Sequence, residues 1–327
     1  MNQQNALLES IADTITDYRE GEVDRPTPAH VERWVNQFDA GVRLPILQEM
    51  NHVLKKTYFS KAKVLDFLRG LLNTNDLTGE NPHAFWENVG FLNIQQSGSS
   101  QVEMLRLLDG ALREEFGLSI TNSEAAPNVF IYLDDGVFSG NRVRSDLKRW
   151  ITDTAPNAAK VHIITIVQYT NGRHYAKTGT TQLKEAARKD IKMFWRSGIV
   201  LENRKMHKDI SDVLWPVKLP DDVETREYTK QLKHSPEFRR AGQIGKNKIF
   251  SSDSARQILE NELLKTGVKI RRICPLLGEY QRPLGNMVLS SLGLGSLVVT
   301  YRNCPNNAPL ALWAGNPWYP LFPRATN

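Results

Sequence analysis

Residues 129–142 read VFIYLDDGVFSGNR. Five apolar residues in succession (129–133), with no polar residue between them, describe a strand buried on both faces. Asp134 and Asp135 follow at its expected carboxyl end, and a bend holding Ser139 and Gly140 leads to Val143, Leu147, Trp150 and Ile151 at helical spacing. Strand, loop and helix in that order is the unit from which parallel sheets are built. Working outward, 91–95 (FLNIQ) reads as a short strand, and 96–100 (QSGSS) as a polar loop. Ser100 and Glu103 have the spacing of a capping box, opening a helix with Val102, Leu105, Leu108, Leu112 and Phe116 inside. Downstream, 161–167 is a third strand, 181–189 a helix and 191–195 a fourth strand. This alternation predicts an α/β fold, a parallel sheet flanked by helices, with ligands beyond the carboxyl ends of its strands.

A chain of 327 residues has room for two domains. Residues 1–88 read as an all-α module with helix-turn-helix topology in view. Thr27 and Pro28 form an N-cap followed by proline at the first helical position. Val31, Trp34, Val35 and Phe38, then Leu44, Leu47, Met50 and Leu54, recur at helical spacing; Ser60 caps a third helix with Val64, Leu65, Phe67, Leu68 and Leu71 inward. Residues 1–50 carry four Arg and no Lys against nine acids, which argues for packing or self-association. Lys55, Lys56, Lys61 and Lys63 argue for nucleic-acid contact. Residues 89–327 form the second domain, with a basic, irregular segment at about 200–250, a helix at 254–265 and a late strand at 296–301. The tail from residue 303 is dense in Pro and aromatics (Trp313, Trp318, Tyr319, Phe322) and is expected to pack back over the domain.

With 40% hydrophobic and 24% charged residues the chain is neither disordered nor fibrous. No run approaches the roughly 18 apolar residues of a membrane span, and the start (MNQQNALLES) lacks a basic-then-apolar secretory pattern. A cytoplasmic protein with no membrane partner is expected. Two cysteines, Cys274 and Cys304, make neither a disulfide framework nor a four-cysteine metal site; buried thiols are expected. His207 and His234 lack metal-ligand spacing, so no direct metal site is assigned.

Chemistry gathers at 134–142. Asp134 and Asp135 are placed to accept hydrogen bonds from the two hydroxyls of a ribose. The backbone of Val137, Phe138, Ser139, Gly140 and Asn141, opening a helix, is placed to cradle its 5-phosphate, with Arg142 as an adjoining cation. His174, Tyr175 and Lys177 follow the third strand on the same sheet edge, where a solvated loop is expected. The stretch 226–248 carries seven Lys and Arg against two Glu, and Arg239, Arg240, Lys246 and Lys248 are its candidate nucleic-acid contacts.

The 129–142 stretch resembles the phosphoribosyltransferase signature: a hydrophobic strand, two acids, three residues, then Thr, Gly, any residue and Thr. Asp134 and Asp135 match the acids, Ser139 stands for the first Thr, Gly140 matches, and Arg142 replaces the second Thr. The resemblance implies that Ser97, Gly98, Ser99, Ser100 and Gln101 are the counterpart of the pyrophosphate loop, here without a basic residue. Together with HVERWVNQF, KKTYFSKAKVLDFLRGLL, YRNCPNNAPLALW and WYPLFPR, it extends to the phosphoribosyltransferase-like effectors of bacterial anti-phage and conflict loci, including retron-associated proteins. That likeness implies a type I phosphoribosyltransferase-like sheet and a toxic effector that binds phosphoribosyl pyrophosphate or a nucleotide. Asp134 and Asp135 would be catalytic if it acts at C1, with Mg²⁺ positioned through them. A reverse transcriptase with its branched DNA–RNA product, and a second copy of the chain, are the implied partners. An inactive nucleotide sensor and a nucleic-acid-binding scaffold are the competing readings.

Overall fold

The computed structural model describes residues 2–96, 98–120, 127–274 and 276–324. They form two compact units, Met1–Lys61 with Leu201–Asn327, and Ala62–Val200. The chain therefore divides elsewhere than at residue 88: the first unit is built from both ends of the chain, and the second is the segment between them.

The first unit opens with helices α1 (Gln3–Thr14), α2 (Pro28–Val35) and α3 (Ala40–Thr57), followed by the two-residue strand β1 (Tyr58–Phe59). Thr27 caps α2 as its sequence predicts, its hydroxyl accepting the His30 N–H at 3.2 Å with Pro28 at the first helical position. Val31, Trp34 and Val35 are fully buried. Each such side chain contributes about 1.5–3 kcal/mol of transfer free energy.

The second unit carries α4 (Lys61–Leu72), α5 (Asn75–Thr78) and α6 (Pro82–Asn88). The alternating series follows: β2 (Gly90–Phe91), α7 (Ser100–Phe116), β3 (Val129–Val137), α8 (Asn141–Asp153), β4 (Ala158–Tyr169), α9 (Thr170–Ala186) and β5 (Asp190–Leu201). The sheet order is β2-β3-β4-β5. β2 is parallel to β3 through Gly90↔Phe130, and β3 to β4 from Val129↔Lys160 to Val137↔Gln168. β5 runs the same way beside β4: the Asp190 N–H donates to the Asn157 carbonyl at their starts, and the Gln168 amide to the Arg196 carbonyl near their ends. The α/β parallel sheet is as the sequence predicts.

Alternation along the strands sends Tyr132, Val161, Ile163 and Ile191 to one face, where Val143, Leu147, Trp150 and Ile151 of α8 and Ala176 of α9 cover them. On the other face His162 stacks on Phe194 at 4.9 Å and meets Phe85 of α6 edge-on, and a Cβ on Gly198 would lie 3.3 Å from Phe67 of α4. With both faces covered, the strands can be apolar throughout.

Several boundaries differ from the sequence reading. Ser99, not Ser100, is the N-cap of α7, so Glu103 falls one residue beyond capping reach and pairs with Arg106 instead. β3 runs four residues past Leu133, because Asp134, Gly136 and Val137 continue its pairing with β4 at Thr165, Val167 and Gln168. α9 begins at Thr170, which puts His174, Tyr175 and Lys177 on a helix rather than a loop.

The chain returns to the first unit with a 3-10 turn (Lys205–Ile210), α10 (Val223–Lys230), α11 (Asp253–Ile273), the short hairpin β6 (Gln281–Arg282) and β7 (Gly285–Asn286), β8 (Val299–Thr300), and α12 (Leu310–Trp313). β8, all that forms of the expected strand at 296–301, pairs in parallel with β1. The aromatic tail packs on the N-terminal helices: the Trp34 indole donates to Ala311 O at 2.8 Å, Phe38 meets Trp318, and Tyr18 meets Phe322. Cys274 and Cys304 are free and buried, as expected, and burial pushes the Cys304 thiol up to about 12.

Candidate functional site

The acids lie inside β3 rather than at its carboxyl end, since Asp134 pairs with Thr165 and the strand continues to Val137. The pleat therefore separates them. Phe130, Tyr132 and Asp134 share the face toward α8, where Phe130 meets Trp150 at 5.1 Å and the Tyr132 hydroxyl donates to Asp146 Oδ2 at 3.0 Å. Asp135, half-buried, belongs to the opposite face. Asp134 is 1% exposed, and its Oδ1 accepts the Asp135 N–H at 2.8 Å. The two carboxylates do not form a joint grip from one side of the sheet; Asp134 is the member turned to the helix that follows the bend.

Asp146 is a third carboxylate of this cluster and is not marked by the sequence. Burial first, and then the neighbouring Asp134, raise its carboxyl above the usual range, while the Tyr132 hydrogen bond and Arg142 act the other way. Burial, with Asp134 and Asp146 beside it, pushes the Tyr132 phenol far above its ordinary value. The signal for Asp146 is its place four residues after Arg142, on the same face of α8.

Gly140 is the N-cap of α8 at φ +81°. A Cβ there would lie 2.2 Å from the Gly172 carbonyl oxygen and 3.3 Å from Ala176 Cβ. Conversely, a Cβ on Gly172 would lie 2.0 Å from the Phe138 carbonyl oxygen. The bend and the first turn of α9 thus touch backbone to backbone, which needs glycine on both sides. Val137 is buried beneath the bend, and Phe138 packs its ring on Tyr169 at 5.5 Å. Ser139 and Asn141 are exposed, the Ser139 hydroxyl accepting the Asn141 N–H at 3.4 Å. A helix start leaves its first amides without acceptors inside the helix and carries partial positive charge, so the bend suits an anion.

Arg142, exposed in the first turn of α8, reaches the other predicted loop: a Cβ on Gly98 would lie 3.0 Å from Arg142 Nη1. The cation absent from the 97–101 sequence is thereby present in space. Ser97 lies outside the described residues. Ser99 caps α7 through its backbone. Ser100 Oγ accepts from Gln95 Nε2 at 2.9 Å, and buried Gln101 holds the Ile94 and Gln95 N–H groups on its Oε1. Ser100 and Gln101 shape the loop; Gly98 is its contact with Arg142. On α9, Tyr175 accepts from Arg144 at 2.7 Å, while His174 and Lys177 are exposed.

The nucleic-acid candidates separate by burial. Arg239 is 2% exposed and pairs with Glu260 at 2.9 Å and Asp253 at 2.7 Å, so it is part of an interior ion network and not a surface contact. Arg256 joins the same network through Glu260 at 2.7 Å. A sequence charge count cannot tell a buried cation from an exposed one. Arg240, Lys246 and Lys248 are exposed. Among the described residues no group of three or more His, Cys, Asp or Glu could hold a metal, and no helix is long and apolar enough to cross a membrane. Asp134 offers the hard oxygen that Mg²⁺ accepts, but as a single carboxylate it would hold the ion only together with a ligand's phosphates.

No curated protein and no solved structure matches the chain. The family model PRTase-CE matches residues 31–324, nearly the whole of it and across both units. The parallel sheet β2-β3-β4-β5 flanked by helices is consistent with that match. The chain belongs to the PRTase-CE family of phosphoribosyltransferase-like proteins.

Proposed function

We propose that this protein binds a ribose 5-phosphate-containing ligand, phosphoribosyl pyrophosphate or a nucleotide, at the 134–142 bend, and serves as an effector of a bacterial anti-phage system of the retron type. The observation that carries the ligand reading is the mutual glycine contact of Gly140 and Gly172, which fixes the bend between the acid-bearing strand β3 and the start of α8. In this reading the amides of the bend hold the 5-phosphate, and Asp134 orients the sugar. Arg142, lying against Gly98, meets the anion at C1. Asp134 would hold Mg²⁺ together with the ligand's phosphates, and the ion would supply positive charge to offset that of the departing anion.

Substitution at C1 breaks the bond to the leaving oxygen, which departs with the electron pair, while an acceptor forms the new bond. The protein's part is orientation and charge stabilisation. A sensor that binds without reacting is the second reading, favoured by the near-complete burial of Asp134 and by the guanidinium at the position of a signature hydroxyl. The defence role rests on the resemblance to conflict-system effectors in the helical opening, the 129–142 stretch and the C-terminal ending. It implies a reverse transcriptase and its branched DNA–RNA product as partners.

Titration calorimetry with phosphoribosyl pyrophosphate, AMP and ribose 5-phosphate, with and without Mg²⁺, tests the ligand reading. Arg142→Gln is expected to weaken binding roughly 10–100-fold, the worth of one charge-assisted hydrogen bond. No binding of any of the three by the native protein refutes the reading. Phage plating of cells carrying Asp134→Ala with Asp135→Ala separates the alternatives, since full defence by the double variant excludes the enzyme.

A further inference from the structure

We infer that the first unit presents a binding surface for a nucleic-acid backbone, formed by Lys55 and Lys56 at the end of α3 and by Lys246 and Lys248 on the 242–250 loop. The inference does not rest on the sugar-phosphate reading. These lysines come from opposite ends of the chain. Lys56 Nζ donates to the backbone carbonyl of Lys248, 192 positions away, and all four side chains are exposed.

The loop is held from beneath by two buried carboxylates. Asp212 accepts the Asn247 backbone N–H and the Asn247 side-chain amide, each at 2.7 Å. Glu49 accepts the Ser251 N–H at 3.0 Å and its hydroxyl. The Lys246 N–H donates to the Ile210 carbonyl at 2.8 Å. Lys248 itself sits at φ +52°, a left-handed conformation that lysine does not favour and that the surrounding bonds impose. The backbone that carries the two lysines is therefore fixed, while their ammonium groups remain in solvent.

The charge of this face stays positive. Asp212 and Glu49 are buried, with amide and hydroxyl donors on their oxygens. Asp209, half-buried, pairs with Arg240, and Glu237 with Lys205 and Lys208. Ammonium groups are compact point charges that meet phosphates without a fixed approach geometry, and several on one braced patch suit a repeating phosphate backbone without sequence preference. A lipid surface would call for a broad apolar face to insert, whereas of this loop's apolar residues Ile249 and Phe250 are buried and Ile244 is half-buried.

Fluorescence anisotropy of the full chain with a labelled 30-nucleotide single strand and the matching duplex, between 50 and 200 mM salt, tests the surface. Combined Lys56→Gln, Lys246→Gln and Lys248→Gln is expected to weaken binding at least tenfold. The slope of log K against log salt should fall by about 2–3, from roughly 0.7–0.9 per phosphate. The three corresponding arginine substitutions restore the slope, and Lys192→Gln, an exposed lysine of β5, leaves it unchanged. If the triple variant does not fold, Lys246→Gln alone is expected to lower the slope by about one phosphate's worth. An unchanged slope in the folded variant overturns the inference. So does a native protein that binds phosphatidylserine vesicles and neither nucleic acid.

Discussion

Replacing Gly140 by alanine tests the contact on which the candidate site depends. Two terms add. The left-handed backbone at φ +81° costs a residue with a Cβ about 1–2 kcal/mol. The new methyl would also stand 2.2 Å from the Gly172 carbonyl oxygen, where ordinary contact begins at 3.4 Å, so the bend or α9 must give by roughly 1 Å. The obstacle is backbone and cannot rotate away, and overpacking of this kind costs about 1–3 kcal/mol. The sum is about 2–5 kcal/mol, a large share of a typical domain's stability.

Urea unfolding followed by tryptophan fluorescence measures this loss, and calorimetry with phosphoribosyl pyrophosphate measures the accompanying loss of affinity. Gly172→Ala separates the terms. It keeps the overlap, at 2.0 Å from the Phe138 carbonyl oxygen, but sits at a helical position with no left-handed penalty, so it is expected to cost about 1–2 kcal/mol less. Gly110→Ala in α7, with nothing within 4 Å of the new Cβ, is expected to stabilise by up to about 1 kcal/mol. A Gly140→Ala protein within about 0.5 kcal/mol of the native one would refute the claim that bend and helix are in enforced backbone contact.

Two further outcomes follow from buried charge. Glu260→Ala removes the carboxylate that Arg239 and Arg256 share in the interior, and should destabilise the first unit by about 3–5 kcal/mol in urea unfolding. His162, its Nδ1 buried without a partner among the described residues, is lowered from 6.5 to about 4 by burial, with Arg196 and Lys160 acting in the same direction. The folded state thus resists its protonation, so its contribution is complete above pH 6.5 and is lost as pH falls toward 4. His162→Phe, which keeps the ring between Phe85 and Phe194, should flatten that part of the stability profile between pH 7.5 and 4.5.

The sequence by itself determined whatever neighbouring residues decide. Five unbroken apolar positions before Asp134 mark a strand covered on both sides, Thr27 and Pro28 start a helix, and an aromatic tail with Trp318 and Phe322 has to be buried. Each follows from local pattern or from the cost of leaving apolar surface in water. Tertiary structure alone decided what depends on residues far apart in the chain. The N-terminal helices join the C-terminal tail rather than standing apart as a module, because Trp34, Phe38 and Tyr18 find their partners beyond residue 310. Gly172 acquires its role only against Phe138 and Gly140, and Asp146 only against Tyr132. Arg142 reaches Gly98 across space, and Arg239 turns inward because Glu260 and Asp253 are there to receive it. Charge, hydroxyl and glycine are properties of a residue; burial and partnership are properties of its neighbours, and a parallel sheet draws those neighbours from distant parts of the chain.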